Sequence, residues 1–174
     1  MKKITLALFI ISGISMLGSG CKKDEPDATP KGSDDGTMTA KIDGVDWAST
    51  SEQNTVLVYF GQGKRMDLRG VSDNGTQMIL SMEDENFASD EMAVGTYTSG
   101  DNSSDNALFT YSTGGYSSGY FDEGGTITIT AINATAKKVS GTFSFKTVNP
   151  FASSQDTVRV SNGTFTGLKY VVYK

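Results

Sequence analysis

Alternation with a period of two runs through most of the chain after residue 37. In Gly125–Ala131, Ile127 and Ile129 fall on one side and Thr126, Thr128 and Thr130 on the other. In Val139–Lys146, Phe143 and Phe145 face one way and Thr142, Ser144 and Lys146 the other. Val158 and Val160 alternate with Thr157, Arg159 and Ser161, and Met38, Ala40 and Ile42 with Thr39 and Lys41. Period two with β-branched and aromatic residues predicts half-buried strands. Gly95–Ser99 and Ala107–Thr113 add two more, and Met66–Leu68 and Met78–Met82 a further pair around a turn at Asp73-Asn74-Gly75. Asp43-Gly44 predicts a tight hairpin turn before Val45 and Trp47, and Asn133–Ala136 connects another hairpin. Val56–Phe60 is apolar on both parities, which predicts a central strand covered on both sides. Asn162-Gly163 is either a hairpin turn or a bulge in a strand that runs on through Phe165 and Leu168, and the bulge is the reading taken. Glu85–Met92 is acidic and reads as a short helix or a loop. About 9–10 short strands with Gly and Asn turns predict an all-β, antiparallel β-sandwich with a barrel-like cross-section. A closed lipocalin-like β-barrel is the alternative.

The first residues read differently. Lys2 and Lys3 precede a mostly apolar run, Ile4–Leu17, broken by Thr5, Ser12, Gly13 and Ser15. Gly18-Ser19-Gly20 then leads into Cys21, the only cysteine. That order is a secretory signal, and the run is too short and interrupted for a membrane span. An unpaired cysteine in an exported chain needs a reason. The segment resembles the bacterial lipobox, with three small residues after Leu17 where two are usual. The resemblance implies that Cys21 is lipidated and becomes the first residue of the mature protein. Lys22-Lys23-Asp24-Glu25 resembles the surface-export signal of Bacteroidota lipoproteins, which implies the outer face of the outer membrane, a periplasm-facing anchor being the alternative. The expected organisation is a signal peptide at 1–20, a lipidated cysteine and flexible tether at 21–37, and one domain at 38–174. The tether, poor in apolar residues, spans on the order of 20–25 Å as a flexible coil.

Charge narrows the partners. The chain carries a net charge of −5, and loss of a leader holding Lys2 and Lys3 and no acids takes it to −7. Nucleic acid needs clustered Lys and Arg, and anionic lipid attracts basic segments, so neither is an expected partner. Membrane attachment should come from the acyl chains of the anchor.

Chemistry is sparse. There is no histidine, which excludes a Ser-His-Asp triad and a His-ligated zinc. Cys21 is consumed by lipid, and no Gly-rich phosphate loop stands between a strand and a helix. No cofactor, metal site or catalytic residue is assigned, and an enzyme is the last of the readings. Its acids would be Glu83, Asp84 and Glu85 with Asp122 and Glu123, if the two clusters faced each other. Asp101–Asn106 offers oxygen ligands for calcium but lacks the spacing of an EF-hand loop, and such residues are also default turn formers. Phe109–Phe121 is the most suggestive stretch: Gly114-Gly115 can turn a hairpin that places Tyr111 near Tyr116. With Tyr120 these rings could stack on sugars, or they are half-buried strand residues with hydroxyls at water. Asp156-Thr157-Val158 resembles the short O-glycosylation motif that Bacteroidota use on exported proteins, which makes Thr157 a candidate for modification.

Ala40–Gly44 with Trp47 resembles the opening of many Bacteroidota lipoprotein β-domains. Together with Gly125–Ile129, Ser140–Phe145 and Val160–Phe165 it is similar to one uncharacterised family of such lipoproteins. The resemblance implies fold and carries no activity. Three functions follow: a non-enzymatic surface lipoprotein that binds or presents, toward glycan or another envelope component; an assembly partner in an envelope complex; and, in a closed barrel, a carrier of a small apolar ligand.

Overall fold

The fold comes from a computed structural model, which describes residues 36–50, 55–60, 63–86, 89–99, 107–111, 116–117, 124–148 and 156–174. Its strands are β1 (Thr37–Ile42), β2 (Val45–Ala48), β3 (Thr55–Phe60), β4 (Gly63–Val71), β5 (Gln77–Asp84), β6 (Gly95–Ser99), β7 (Ala107–Tyr111), β8 (Tyr116–Ser117), β9 (Gly125–Asn133), β10 (Lys138–Val148) and β11 (Thr157–Tyr173). No helix occurs among the described residues. The part of Glu85–Met92 that is described is loop, which settles the choice left open there.

The strands pair in the order β2-β1-β11-β3-β4-β5-β7-β8-β10-β9-β6, with a further pairing between β10 and β11. The sheet is open, ending at β2 and β6, and is not a closed lipocalin-like barrel. The β10–β11 pairing folds it into two layers. One layer runs β2-β1-β11-β10-β9-β6 and is antiparallel throughout. The other runs β3-β4-β5-β7-β8. β11 belongs to both: its first part pairs with β10 and β1, and Tyr170–Tyr173 pairs with Thr55–Val58 of β3. That last pairing is parallel, so the expected all-antiparallel sheet is mixed at one seam. Alternation marks which faces are buried but not which way a neighbouring strand runs.

Local chemistry explains the turns. Asp43 and Gly44 both hold positive φ, 49° and 84°, as a two-residue hairpin turn of the type matched to strand twist requires. Asn162 holds φ 51° within the unbroken β11, and β10 loses a residue of register beside it, between Phe143 and Phe145. This is the bulge, and it bends β11. Gly163 lies against the Phe143 ring, where an added Cβ would come within 2.5 Å.

The core lies between the layers. Phe109 of β7 stacks on Phe145 of β10 with ring centroids 4.5 Å apart. Met38, Phe165, Ile127 and Ile129 face Leu57, Met66, Leu68, Met78, Leu80 and Met82, all fully buried. Each such side chain contributes about 1.5–3 kcal/mol by leaving water. β3 departs from expectation: Leu57 is buried, but Val56 and Val58 are half-buried. It is central in the pairing order, yet a two-layer fold leaves its other face outward.

Gly141 marks a tight approach in the core. A Cβ there would lie 2.1 Å from the Thr128 carbonyl oxygen and 2.5 Å from Phe165 Cζ. Gly141→Ala is expected to lower stability by about 3 kcal/mol, the upper end of overpacking costs, read as a lower urea midpoint at unchanged m-value.

Candidate functional site

Two features of the described surface stand out, a polar clamp at one end and a hydroxyl face on one layer. The clamp starts with Lys64. Its parity in β4 matches Met66 and Leu68, so the strand turns it inward, and it is fully buried. Its Nζ donates to the carbonyls of Asn86 and Ser89, at 2.7 Å each, and pairs with Asp84 Oδ2 at 3.4 Å. Two carbonyls and one counter-charge therefore surround the ammonium, as a buried cation requires. Asp84 also receives the backbone N–H of Asn86 at Oδ1, 2.8 Å, and of Ala93 at Oδ2, 3.1 Å. Asp84 is thus committed to holding the loop, alongside the exposed Glu83 and Glu85.

Three tyrosines and two lysines complete the clamp. The Tyr170 hydroxyl donates to Glu91 Oε2, and Lys137 Nζ reaches Glu91 Oε1 at 2.8 Å while lying 5.6 Å from the centre of the Tyr170 ring. The Tyr59 hydroxyl donates to the Asp90 carbonyl. Lys174 Nζ lies 5.3 Å from the centre of the Tyr59 ring and pairs with the Asp90 carboxylate. Tyr97 donates to the Ala93 carbonyl at 2.8 Å. The strap 89–93 is so tied to β3, β5, β6 and β11, and it tucks Met92 into the core at 3% exposure. Burial, with Asp84 nearby, pushes the Tyr97 hydroxyl up to about 12. Burial and the Glu91 carboxylate push Tyr170 up as well.

The hydroxyl face is built by the same alternation that builds the core. Five adjacent strands turn Thr-x-Thr or Thr-x-Ser outward: Thr96 and Thr98; Thr126 and Thr128; Thr142 and Ser144; Thr164 and Thr166; Thr37 and Thr39. Register places Thr96 opposite Thr128, Thr128 opposite Thr142, Thr142 opposite Thr164, and Thr164 opposite Thr39. A single row of threonines thus crosses β6, β9, β10, β11 and β1. Beside it run Thr98, Thr126 and Ser144 on one flank and Thr166 with Thr37 on the other. Thr39 and Thr164 share a hydroxyl–hydroxyl bond of 2.8 Å, and Thr96 and Thr128 one of 2.9 Å. Charges stand off the row. Lys146 faces Arg159 and Lys138 faces Lys169 at the two ends of the β10–β11 pair, and Lys41 pairs with Asp46 beside β2.

Of the residues singled out from sequence, Tyr111 is half-buried and packs against the core, opposite Met78. It pairs with Tyr116 across β7 and β8, as the hairpin reading expected. Thr157 is exposed at the start of β11. Cys21, Lys22, Lys23, Asp24, Glu25, Tyr120, Asp101–Asn106 and Asp122-Glu123 lie outside the described residues, as does Gly114-Gly115. Among the described residues, no three Asp, Glu, His or Cys side chains come together as a metal site, and no helix is long and apolar enough to cross a membrane. Sequence reasoning missed the clamp and the row. An inward-parity lysine in β4 was the available signal for the first, and recurring Thr-x-Thr for the second.

A profile described as Domain of unknown function (DUF6252) matches residues 34–169. The chain belongs to that family. The DUF6252 match takes in β1 to β10 and β11 as far as Lys169; residues 1–33, Cys21 among them, and Tyr170–Lys174 lie beyond it. No curated protein and no solved structure matches the chain significantly.

Two tests address the clamp. Lys64→Met keeps the aliphatic stem and removes the ammonium, stranding two carbonyls and Asp84. It is expected to cost on the order of 3 kcal/mol and to speed amide exchange at Asn86 and Ala93 ahead of the core strands; unchanged protection there would refute the clamp. The raised tyrosines also predict alkaline sensitivity. A hydroxyl whose folded pKa lies above its unfolded value of 10.0 keeps its proton longer in the native state. That contribution is complete below pH 10 and drains away as pH climbs from 10 toward 12. Tyr170→Phe should flatten this decline in a melting-temperature series.

Proposed function

We propose that this protein is a lipid-anchored, non-enzymatic lipoprotein of the outer membrane, displayed on the cell surface, whose domain binds or presents. The observation that carries the reading is Cys21, the sole cysteine, placed where an apolar leader ends and followed by Lys22-Lys23-Asp24-Glu25. Two acyl chains on one cysteine hold a protein stably at a membrane. The folded domain begins at Thr37, so residues 22–35 can separate it from the bilayer. A neutral, hydroxyl-rich outer layer and an overall acidic chain suit a module displayed in an aqueous envelope rather than one bound flat to anionic lipid.

Glycan contact is the ligand class in view for this module, with Tyr111, Tyr116 and Tyr120 as the first candidates. The pairing of Tyr111 with Tyr116 supports it, and the half-burial of Tyr111 confines any stacking to the exposed part of its ring. Thr157, exposed beside Asp156, is open to O-glycosylation as a decoration. A second reading, an assembly partner in an envelope complex, is favoured by a small apolar strip. Val171 and Tyr173, each 56% exposed, lie in register with Val56 and Val58. The carrier reading requires a closed barrel, and the sheet is open.

In cells fed labelled palmitate, the wild-type chain should take up label and Cys21→Ser should take up none. An inhibitor of lipoprotein signal peptidase should accumulate the longer precursor. Protease added to intact cells should remove the domain, and replacing Lys22–Glu25 with alanines should protect it. A wild-type chain that stays unlabelled would refute the anchor.

A further inference from the structure

Asn-Gly occurs twice in the chain, at Asn74-Gly75 and Asn162-Gly163, and the fold treats the two differently. An asparagine before glycine is open to attack on its own side-chain amide by the next backbone nitrogen, because glycine puts no Cβ beside that nitrogen. At Asn162 the fold prevents this. Asn162 and Gly163 together face Ala40 alone across β1, between the pairs Thr39–Thr164 and Lys41–Ser161, and Gly163 is buried in register with Phe143. A Cβ on Gly163 would lie 2.5 Å from the Phe143 ring and from its carbonyl oxygen. No five-membered ring fits there unless β11 opens, and opening gives up strand pairing on both edges.

At Asn74 the same chemistry is assisted. Asp73, Asn74 and Gly75 form an exposed loop between β4 and β5. It is closed by Ser72 N–H to the Thr76 carbonyl at 3.0 Å and by Gly75 N–H to the Ser72 carbonyl at 2.9 Å. Asn74 Oδ1 accepts from Ser72 Oγ at 2.6 Å and from the Thr76 N–H at 3.0 Å. The Thr76 N–H donates only to oxygen, which fixes the orientation of the amide. The Ser72 hydroxyl has a second, longer acceptor in the Thr76 carbonyl at 3.1 Å. An attack on the Asn74 Cγ carbon puts negative charge on Oδ1, where these two donors already point, and a hydrogen bond strengthens when its acceptor becomes charged.

We infer that Asn74 is a self-modification site that converts to aspartate and isoaspartate without an enzyme, with Ser72 Oγ and the Thr76 N–H as its oxyanion donors. Hydroxide removes the Gly75 N–H proton, and Gly75 N bonds Asn74 Cγ. As the oxyanion collapses the Cγ–Nδ2 bond breaks, and ammonia leaves with a proton from water. Water then adds to either carbonyl of the succinimide, opening it to aspartate at one and isoaspartate at the other. The sum is amide plus water to carboxylic acid plus ammonia, with nothing oxidised or reduced. Ring closure gives up one turn hydrogen bond, Gly75 N–H to Ser72, where Asn162 would give up a paired strand. The product adds a carboxylate beside Asp73 and, as isoaspartate, one more backbone carbon to the hairpin loop.

The test incubates the full-length chain, purified in mild detergent, in warm, mildly alkaline buffer, both folded and unfolded in urea. Peptide mapping reads the mass gain from amide to acid at each site, and an isoaspartate-specific methyltransferase counts the isoaspartate formed. In urea the two Asn-Gly sites should react alike. In the folded chain Asn74 should react at least as fast as in urea, while Asn162 should slow by at least about a hundredfold, because β11 must open first. Ser72→Ala should slow Asn74 about tenfold, the worth of one hydrogen bond that strengthens in the transition state. Ser72→Thr, which keeps the hydroxyl, should restore the rate, with melting temperatures showing that both variants fold. Asn74 that reacts in urea but stays intact in the folded chain overturns the inference. So does a folded Ser72→Ala variant that reacts as fast as the wild type or faster, since the turn's hydrogen bonds would then be protecting the amide. The wild-type comparison between folded and unfolded chain needs no variant and stands if Ser72→Ala misfolds.

Discussion

Both layers hang on β11. Along its first part it is hydrogen-bonded on one edge to β10 and on the other to β1; its last four paired residues turn to β3. Among the described residues no other strand closes the sandwich so fully, because the β8 link between β7 and β10 rests there on a single residue pair to β10. The bulge at Asn162-Gly163 and the positive φ of Gly167, 59°, give β11 the bends that let one strand serve two layers. The arrangement makes the fold strongly non-local. Thr39 bonds Thr164 across 125 positions, so the entropy of a long loop is lost before that pairing is gained. Slow folding of the kind seen in all-β sandwiches follows.

The clamp shows how such a fold ends one of its open sides. Strand β4 carries its apolar face to Met66 and Leu68 and then places Lys64 on the same face, where the sandwich gives out. A cation there is tolerable only because Asn86, Ser89 and Asp84 surround it. Holding those groups orders the strap, and the strap in turn covers Met92. Tyr59, Tyr170, Lys137 and Lys174 secure its far side from strands β3 and β11 and from the turn before β10. Asp84, one of the acids the enzyme reading would draw on, serves with Asp90 and Glu91 as the counter-charge of Lys64, Lys174 and Lys137.

The outer threonine face and the inner core are two readings of one alternation. Placing Ile127 and Ile129 inward obliges Thr126 and Thr128 to face out, and the same holds for Phe143 with Thr142 and Ser144 and for Phe165 with Thr164 and Thr166. What selects threonine over lysine or glutamate at those outward places is not the core. An outward row kept neutral across five strands, in a chain with 20 acidic and 15 basic side chains, places its charges at the margins. That separation leaves one broad surface free of the charges that keep most of the protein solvated.

Strand positions, the Asp43-Gly44 and Asp73–Gly75 turns, the bulge at Asn162 and the all-β class were legible in the sequence, because period-two burial and turn chemistry act within a few residues. Other features were decided only by the tertiary structure. The parallel seam between β3 and β11, the outward face of β3, the partners of Lys64 and the inward packing of Tyr111 each depend on which strand lies next to which. Thr-x-Thr is visible in each of five segments, yet the row exists only once register sets them side by side. Alternation specifies a residue's face, whereas pairing between strands remote in sequence specifies its neighbours.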